Sequence, residues 1–154
     1  MSYKNIFFLF TFLLIYRVAL SQDSKIKKDS ILYYLNNSNG QTILKNFKKA
    51  VYLAKEIKHD SLIREVNIKY GLQNYFKKNI SELDISQQNL QELYLRTKDS
   101  FALAKVYHYK ALSYLLNYKK DSALYYYVES KNISALVKDS LEVGRRLLSM
   151  ANIQ

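Results

Sequence analysis

The fold is decided by residues 98–141, which read KDSFALAKVYHYKALSYLLNYKKDSALYYYVESKNISALVKDSL. A motif made of a basic residue, Asp, Ser and an apolar residue, here called the corner motif, stands at both ends of this stretch and occurs twice upstream. Its four copies begin at Lys28, His59, Lys98 and Lys138, and their Asp residues lie 31, 39 and 40 positions apart. A basic residue favours the C-terminal end of one helix, and Asp or Ser caps the start of the next. Each copy therefore predicts a corner, that is, a short turn between two antiparallel helices. Recurrence of such turns at this spacing is typical of a helical solenoid.

The residues between the corners follow a helical period. Residues 41–58, for example, carry apolar side chains at steps of mostly three or four, namely Ile43, Leu44, Phe47, Ala50, Val51, Ala54 and Ile57. The chain has no Pro and only three Gly, which disfavours strand-rich folds with their frequent turns. We expect an all-α fold of about six antiparallel helices. The expected corners lie near residues 38–40, 58–60, 78–79, 97–99, 118–121 and 138–139.

The spacing of large and small side chains in the central stretch resembles one unit of a tetratricopeptide repeat (TPR). The residues that carry this resemblance are Tyr107, Ala111, Tyr114, Ala123, Tyr127 and Ser130. It covers residues 29–154, as units 29–58, 60–97 and 99–137 and a partial unit 139–154. The repeat of about 40 residues exceeds the 34 of the family, and Leu83 stands where the family has Ala. The resemblance implies an α-solenoid of helical hairpins, in which small residues stand where the paired helices approach most closely.

The TPR resemblance also implies roles for particular residues. Packing between helices is assigned to Gly71, Ala111, Ala123 and Tyr127. The first helix of each unit lines the concave face in this family, so a peptide groove is assigned to Glu65, Ile68, Leu72, Lys105, His108 and Leu112. The tyrosines around residues 125–127 favour a packed core between helices, with a peptide groove as the alternative. The implied partner is a protein or peptide, and no cofactor is implied.

The first residues have the order of a secretory signal. Lys4 precedes an apolar run from Ile6 to Tyr16, and Ala19-Leu20-Ser21 supplies small residues for a cleavage site. This pattern predicts a signal peptide over residues 1–21 and a linker over residues 22–28, hence an exported protein in the periplasm or at the cell surface. The alternative is an uncleaved signal anchor, since Arg17 lies close to the expected cut.

The order of a signal followed by Lys- and Tyr-rich repeats is similar to the exported sensor or scaffold regions of Bacteroidetes-type TPR proteins. That similarity implies a protein-interaction module, of the kind that serves as the sensor region of a longer signalling protein. A second hypothesis is a basic, cytoplasmic, nucleic-acid-associated helical protein, suggested by the net charge of +11. Nineteen of the 24 basic residues are Lys dispersed along the chain, which favours solvated surface charge over a nucleic-acid site.

Sequence motifs for catalysis or metal binding are missing. The chain has no Cys, His59 lies at an expected corner, and His108 has no acidic residue or Cys three or four positions away to complete a set of metal ligands. The phosphate-binding, nucleophile-elbow and zinc-protease motifs are absent as well. We therefore expect a non-enzymatic protein without cofactor or metal.

Overall fold

A computed structural model describes residues 3–36 and 42–153 of the chain. Seven helices make up nearly all of this part, and it contains no strand. The helices are α1 (Tyr3–Asn36), α2 (Ile43–Glu56), α3 (Asp60–Phe76), α4 (Ile80–Thr97), α5 (Ser100–Leu116), α6 (Lys120–Leu136) and α7 (Ser140–Ala151). The predicted all-α fold is confirmed for the described residues.

The helices pack in the order in which the chain makes them. Each helix contacts the next one in the chain, and α3 also contacts α5 directly. Because the corners between α2 and α7 are only a few residues long, consecutive helices are antiparallel and α3, α5 and α7 run in the same direction. Their facing stripes bury a continuous core that includes Val66, Tyr70, Leu90, Val106 and Tyr109. Sequential packing of this kind is that of a helical-repeat solenoid.

Five successive corners use the same backbone conformation. One residue just beyond the end of each helix has a left-handed backbone, with φ between 51° and 58°, although none of the five is glycine. They are Lys58, Lys78, Lys98, Tyr118 and Lys138. These residues lie 20 positions apart, so one helix with its corner takes 20 residues and one hairpin takes 40. The predicted 40-residue repeat is therefore present in the backbone from Lys58 onward.

Two of the predicted helix caps are confirmed. Asp99 Oδ1 accepts hydrogen bonds from the backbone N–H groups of Phe101 and Ala102 at 2.9 and 3.2 Å. Asp139 Oδ1 accepts one from the N–H of Glu142 at 3.1 Å. These bonds pair donors of the first turn of α5 and α7 that have no partner within the helix.

In two further Asp-Ser pairs, the Asp lies in the first turn of the helix and not at the N-cap position. The residue before α3 is His59, which makes no side-chain cap bond, and Asp60 occupies the first turn. There its carboxylate pairs with Arg96 at 2.6 Å. Asp121 likewise lies in the first turn of α6, after the cap position at Lys119. An acidic side chain in the first turn still faces the positive end of the helix dipole, so these residues favour the same helices by another route.

The first copy of the corner motif does not mark a corner. Lys28, Asp29 and Ser30 lie inside α1, which continues without a break to Asn36, so the prediction that a helix starts at Asp29 is wrong. Ser30 Oγ instead donates a hydrogen bond to the carbonyl of Ile26 at 2.9 Å, one turn back in the same helix. The corner predicted at residues 38–40 lies outside the described residues. The signal peptide and linker boundaries remain predictions.

The four residues predicted to pack between helices are all buried. Ala111 and Ala123 have no exposed surface, and Tyr127 is almost fully covered. Gly71 differs from the prediction in its partner: a Cβ built on it would lie 2.3 Å from Cε2 of the Tyr109 ring, on α5. The atoms nearest to Gly71 on this side therefore belong to the next hairpin, where α3 meets α5.

Stability should rise when a corner residue is replaced by glycine. A left-handed backbone costs a residue with a Cβ about 1 kcal/mol more than glycine, and Lys138 has an exposed side chain without an ion pair among the described residues. We expect Lys138→Gly to raise the free energy of unfolding in urea by about 1 kcal/mol. Lys131→Gly, seven residues earlier inside α6, should lower it by about 1 kcal/mol. A decrease in both variants would contradict the corner geometry.

Candidate functional site

The residues assigned to a concave groove divide into exposed and buried positions. On α3, Glu65 is exposed and pairs with Lys69 at 3.2 Å, while Ile68 and Leu72 are half-buried. On α5, Leu112 is buried in the core. The α3 part of the predicted surface is thus partly open, whereas the α5 part is covered by neighbouring helices.

His108 is one of the covered positions. Its ring lies against the rings of Tyr109 and Tyr127, with centroids 5.5 and 5.9 Å apart, and its Nδ1 has no hydrogen-bond partner in the described part of the chain. Burial holds the pKa of His108 well below its ordinary value, and the charge of Arg146 lowers it further. His108 is therefore a neutral core residue, which does not reach the surface assigned to the groove.

Lys105, the remaining groove residue, belongs to a charged cluster between α5 and α7. Its Nζ lies 2.6 Å from the Glu142 carboxylate, which also accepts hydrogen bonds from Arg145 and Arg146 at 2.6 Å each. Burial alone would raise the pKa of Glu142, but the three cations outweigh it and lower that pKa to about 2. Burial also lowers the pKa of Lys105, which Glu142 offsets only in part. The cluster ties the last described helix to α5.

Arg146 is the most deeply buried member of this cluster, with 3% of its surface exposed. Its Nε and Nη1 have no hydrogen-bond acceptor within the described residues. The guanidinium carbon lies 6.0 Å from the centre of the Tyr127 ring, close enough for a cation–π contact that compensates part of this loss. The sequence spacing Glu142, Arg145, Arg146 signals neighbours on one helix face, but nothing in it points to Lys105.

An open groove lies on a different face, between α4 and α6, with α5 as its floor. It encloses a cavity of about 390 Å³. The lining residues are Ile80, Asp84, Gln87 and Gln88 from α4, Lys110, Ser113, Tyr114 and Asn117 from α5 and its C-cap, and Tyr126 from α6. The sequence predicts none of these positions for the concave groove, but Tyr126 belongs to the tyrosine-rich stretch that it offers as an alternative groove.

Stacked tyrosines form one wall of the α4–α6 groove. The Tyr126 ring is nearly parallel to that of Tyr114, with centroids 5.3 Å apart, and it also stacks on Tyr107 at 6.0 Å. Lys110 Nζ lies 5.4 Å from the centre of the Tyr126 ring and 5.7 Å from that of Tyr107. Because the ring faces contact each other, this wall is rigid and offers edges and hydroxyl groups to the groove.

Polar side chains form the opposite wall. Asp84 accepts a hydrogen bond from Ser113 at 2.8 Å, which fixes the acid at the floor. Gln87 and Gln88 make no side-chain hydrogen bond to any described residue, so both amides retain donors and acceptors. The groove therefore combines a rigid aromatic wall with uncommitted amide groups.

The described residues hold no cluster of three or more His, Cys, Asp or Glu side chains placed to bind a metal ion. Within the same ranges, no helix combines the length and apolar character needed to cross a membrane. No family model matches the chain, and no curated protein matches it significantly. The class of protein is accordingly defined by its own architecture, an all-α fold with the sequential helix packing of a repeat solenoid.

Proposed function

We propose that this chain is a non-enzymatic, TPR-like protein-interaction module that holds a segment of a partner protein in the groove between α4 and α6. The observation that carries the proposal is the 390 Å³ cavity with stacked tyrosines on one side and free glutamine amides on the other. A scaffold or sensor region built from such repeats would be exported under the signal predicted at residues 1–21.

An extended peptide suits the groove better than a small molecule does. Each free glutamine amide carries both a donor and an acceptor, which is the combination needed to pair with a peptide backbone. Tyrosine edges pack apolar side chains at low conformational cost, while their hydroxyl groups remain available for hydrogen bonds. The groove is open to solvent and is lined from Ile80 to Gln88 of α4, so an extended segment can lie in it.

Peptide selection from a random display library against the full chain tests this function. We expect enriched peptides whose affinity falls about 10-fold or more in the double variant Gln87→Ala and Gln88→Ala, since each lost amide leaves backbone groups of the peptide unpaired. Binding is measured by fluorescence anisotropy with a labelled peptide.

The matched control alters the face that the TPR resemblance assigned to the partner. Glu65→Ala with Leu72→Ala removes two side chains from α3 and leaves the α4–α6 groove unchanged. We expect this variant to bind the selected peptides as the native chain does. A loss confined to the α3 variant would move the site to the concave face, and an absence of any enriched peptide would count against the module.

A further inference from the structure

Two corners of the solenoid carry the same unusual combination of side chains. The α3–α4 corner has Phe76, Lys77 and Lys78, and the α5–α6 corner has Tyr118, Lys119 and Lys120. All six side chains are exposed, with 72% of Phe76 and 92% of Tyr118 open to solvent. We call these six residues the basic edge. Exposed apolar groups that lie together on one edge mark a candidate contact surface.

The two corners of the basic edge lie side by side. Because α3 and α5 run in the same direction and contact each other, their C-terminal ends reach the same edge of the solenoid. Packed helices are about 8–10 Å apart, so the corners are separated by roughly that distance. The two corners therefore lie on one edge of the solenoid, close enough for one extended surface to contact both.

The charge of the basic edge is not balanced. None of its four lysines forms an ion pair with a described residue. The acids in the helix turns that follow these corners are Glu82, which pairs with Lys48, and Asp121. At the opposite edge, each corner lysine is followed within two residues by an aspartate, whereas at the basic edge this holds for Lys119 and Lys120 but not for Lys77 and Lys78. The positive charge of the solenoid corners is thus concentrated on one side.

We propose that the basic edge docks on an anionic phospholipid surface. Phe76 and Tyr118 would enter the headgroup region, where aromatic rings are favoured, and the lysines would contact lipid phosphates. A shallow recess of about 510 Å³ at the α5–α6 corner is lined by Tyr118, Lys119 and Lys120 together with Asp121 and Ser122. None of the six basic-edge residues lines the α4–α6 groove, although Ile80 and Asn117 of that groove lie next to the two corners.

The position of the rings favours a lipid surface over a nucleic acid. Proteins that bind single strands usually stack the bases on aromatic rings inside a charged channel. Here the rings project from the tips of two corners, and the basic edge contains no Arg for bidentate phosphate contacts. Protruding rings flanked by lysines fit a deformable interface that they can enter.

Vesicle co-sedimentation of the full chain tests the proposal. The native chain is compared on vesicles of phosphatidylcholine alone and of phosphatidylcholine mixed with phosphatidylglycerol. Binding that does not depend on lipid charge is the same for both kinds, so the basic edge is measured by the preference for the anionic vesicles. We expect Lys77, Lys78, Lys119 and Lys120, all changed to Gln, to reduce that preference at least about 10-fold. Phe76→Ala with Tyr118→Ala should weaken binding to anionic vesicles while native-like circular dichroism and melting show that the fold is kept.

The control removes the same charge elsewhere, through Lys45→Gln, Lys58→Gln, Lys98→Gln and Lys138→Gln. We expect it to keep most of the anionic preference. If both lysine variants lost the anionic preference equally, binding would depend on net charge alone, and the proposal would be overturned. It would also be overturned if the basic-edge variant bound anionic vesicles normally, or if the edge bound single-stranded nucleic acid in competition assays and showed no preference for anionic lipid.

Discussion

Glu142→Gln should lower the free energy of unfolding by about 3–5 kcal/mol, because it leaves buried cations without their anion. Glu142 is 8% exposed and accepts hydrogen bonds from Lys105, Arg145 and Arg146. Glutamine keeps the shape of the side chain but not its charge, so the effect reports the charge itself. Urea unfolding followed by circular dichroism measures it.

The matched control for this variant is Glu65→Gln on α3. Glu65 pairs with Lys69 at 3.2 Å, but both side chains are exposed, so we expect a change below about 1 kcal/mol. A similarly small change in Glu142→Gln would show that α7 is not held through the charged cluster.

The same cluster predicts sensitivity to acid. The pKa of Glu142 is about 2 in the folded chain and lies near its ordinary value of 4.5 in the unfolded chain. Its stabilising contribution is therefore complete above about pH 5 and is lost as the pH falls toward 2. In the Glu142→Gln variant this part of the pH dependence should disappear, leaving a flatter stability curve between pH 5 and 2.

Gly71→Ala should lower the free energy of unfolding by about 1–2 kcal/mol although alanine is the better helix former. Its Cβ would lie 2.3 Å from the Tyr109 ring, which is fully buried and anchored by a hydrogen bond from its hydroxyl group to the carbonyl of Ile68. The overpacking costs about 1–3 kcal/mol and outweighs a gain in helix propensity of about 1 kcal/mol.

Gly144 provides the control, since it also lies within a helix and a Cβ added to it would meet no described neighbour within 4 Å. We expect Gly144→Ala to raise stability by about 0.5–1 kcal/mol. Opposite signs for the two glycines, measured in the same urea titration, follow from the contact between α3 and α5. Stabilisation by both substitutions would mean that Gly71 does not meet Tyr109.

The corners could be predicted because their chemistry is local. Asp99 and Asp139 cap helices with bonds that span only two or three residues, and the signal for such bonds is present in the sequence itself. The same motif at Lys28 does not begin a helix, because an N-cap residue must follow the end of the preceding helix. There, α1 continues, and Lys27 pairs with Asp23 one turn back and with Glu56 of α2.

Contacts between distant parts of the chain could not be predicted in the same way. A small residue at position 71 was expected from the repeat register, but its actual neighbour, Tyr109, is 38 residues away on the next hairpin. Lys105 and Glu142 are separated by 37 residues, and neither carries a local sign of the other. The groove between α4 and α6 likewise depends on how three helices are arranged, which no single helical pattern specifies.

The distance between α1 and α7 tests the solenoid most directly. The chain has no Cys, so Ile26→Cys and Leu148→Cys introduce two exposed sites for nitroxide labels without interference. Three steps along the odd-numbered helices, each at least about 8 Å, give an expected separation of roughly 24 Å or more by pulsed electron paramagnetic resonance. A single short distance of about 10 Å, typical of directly packed helices, would show a closed bundle and contradict the open repeat architecture.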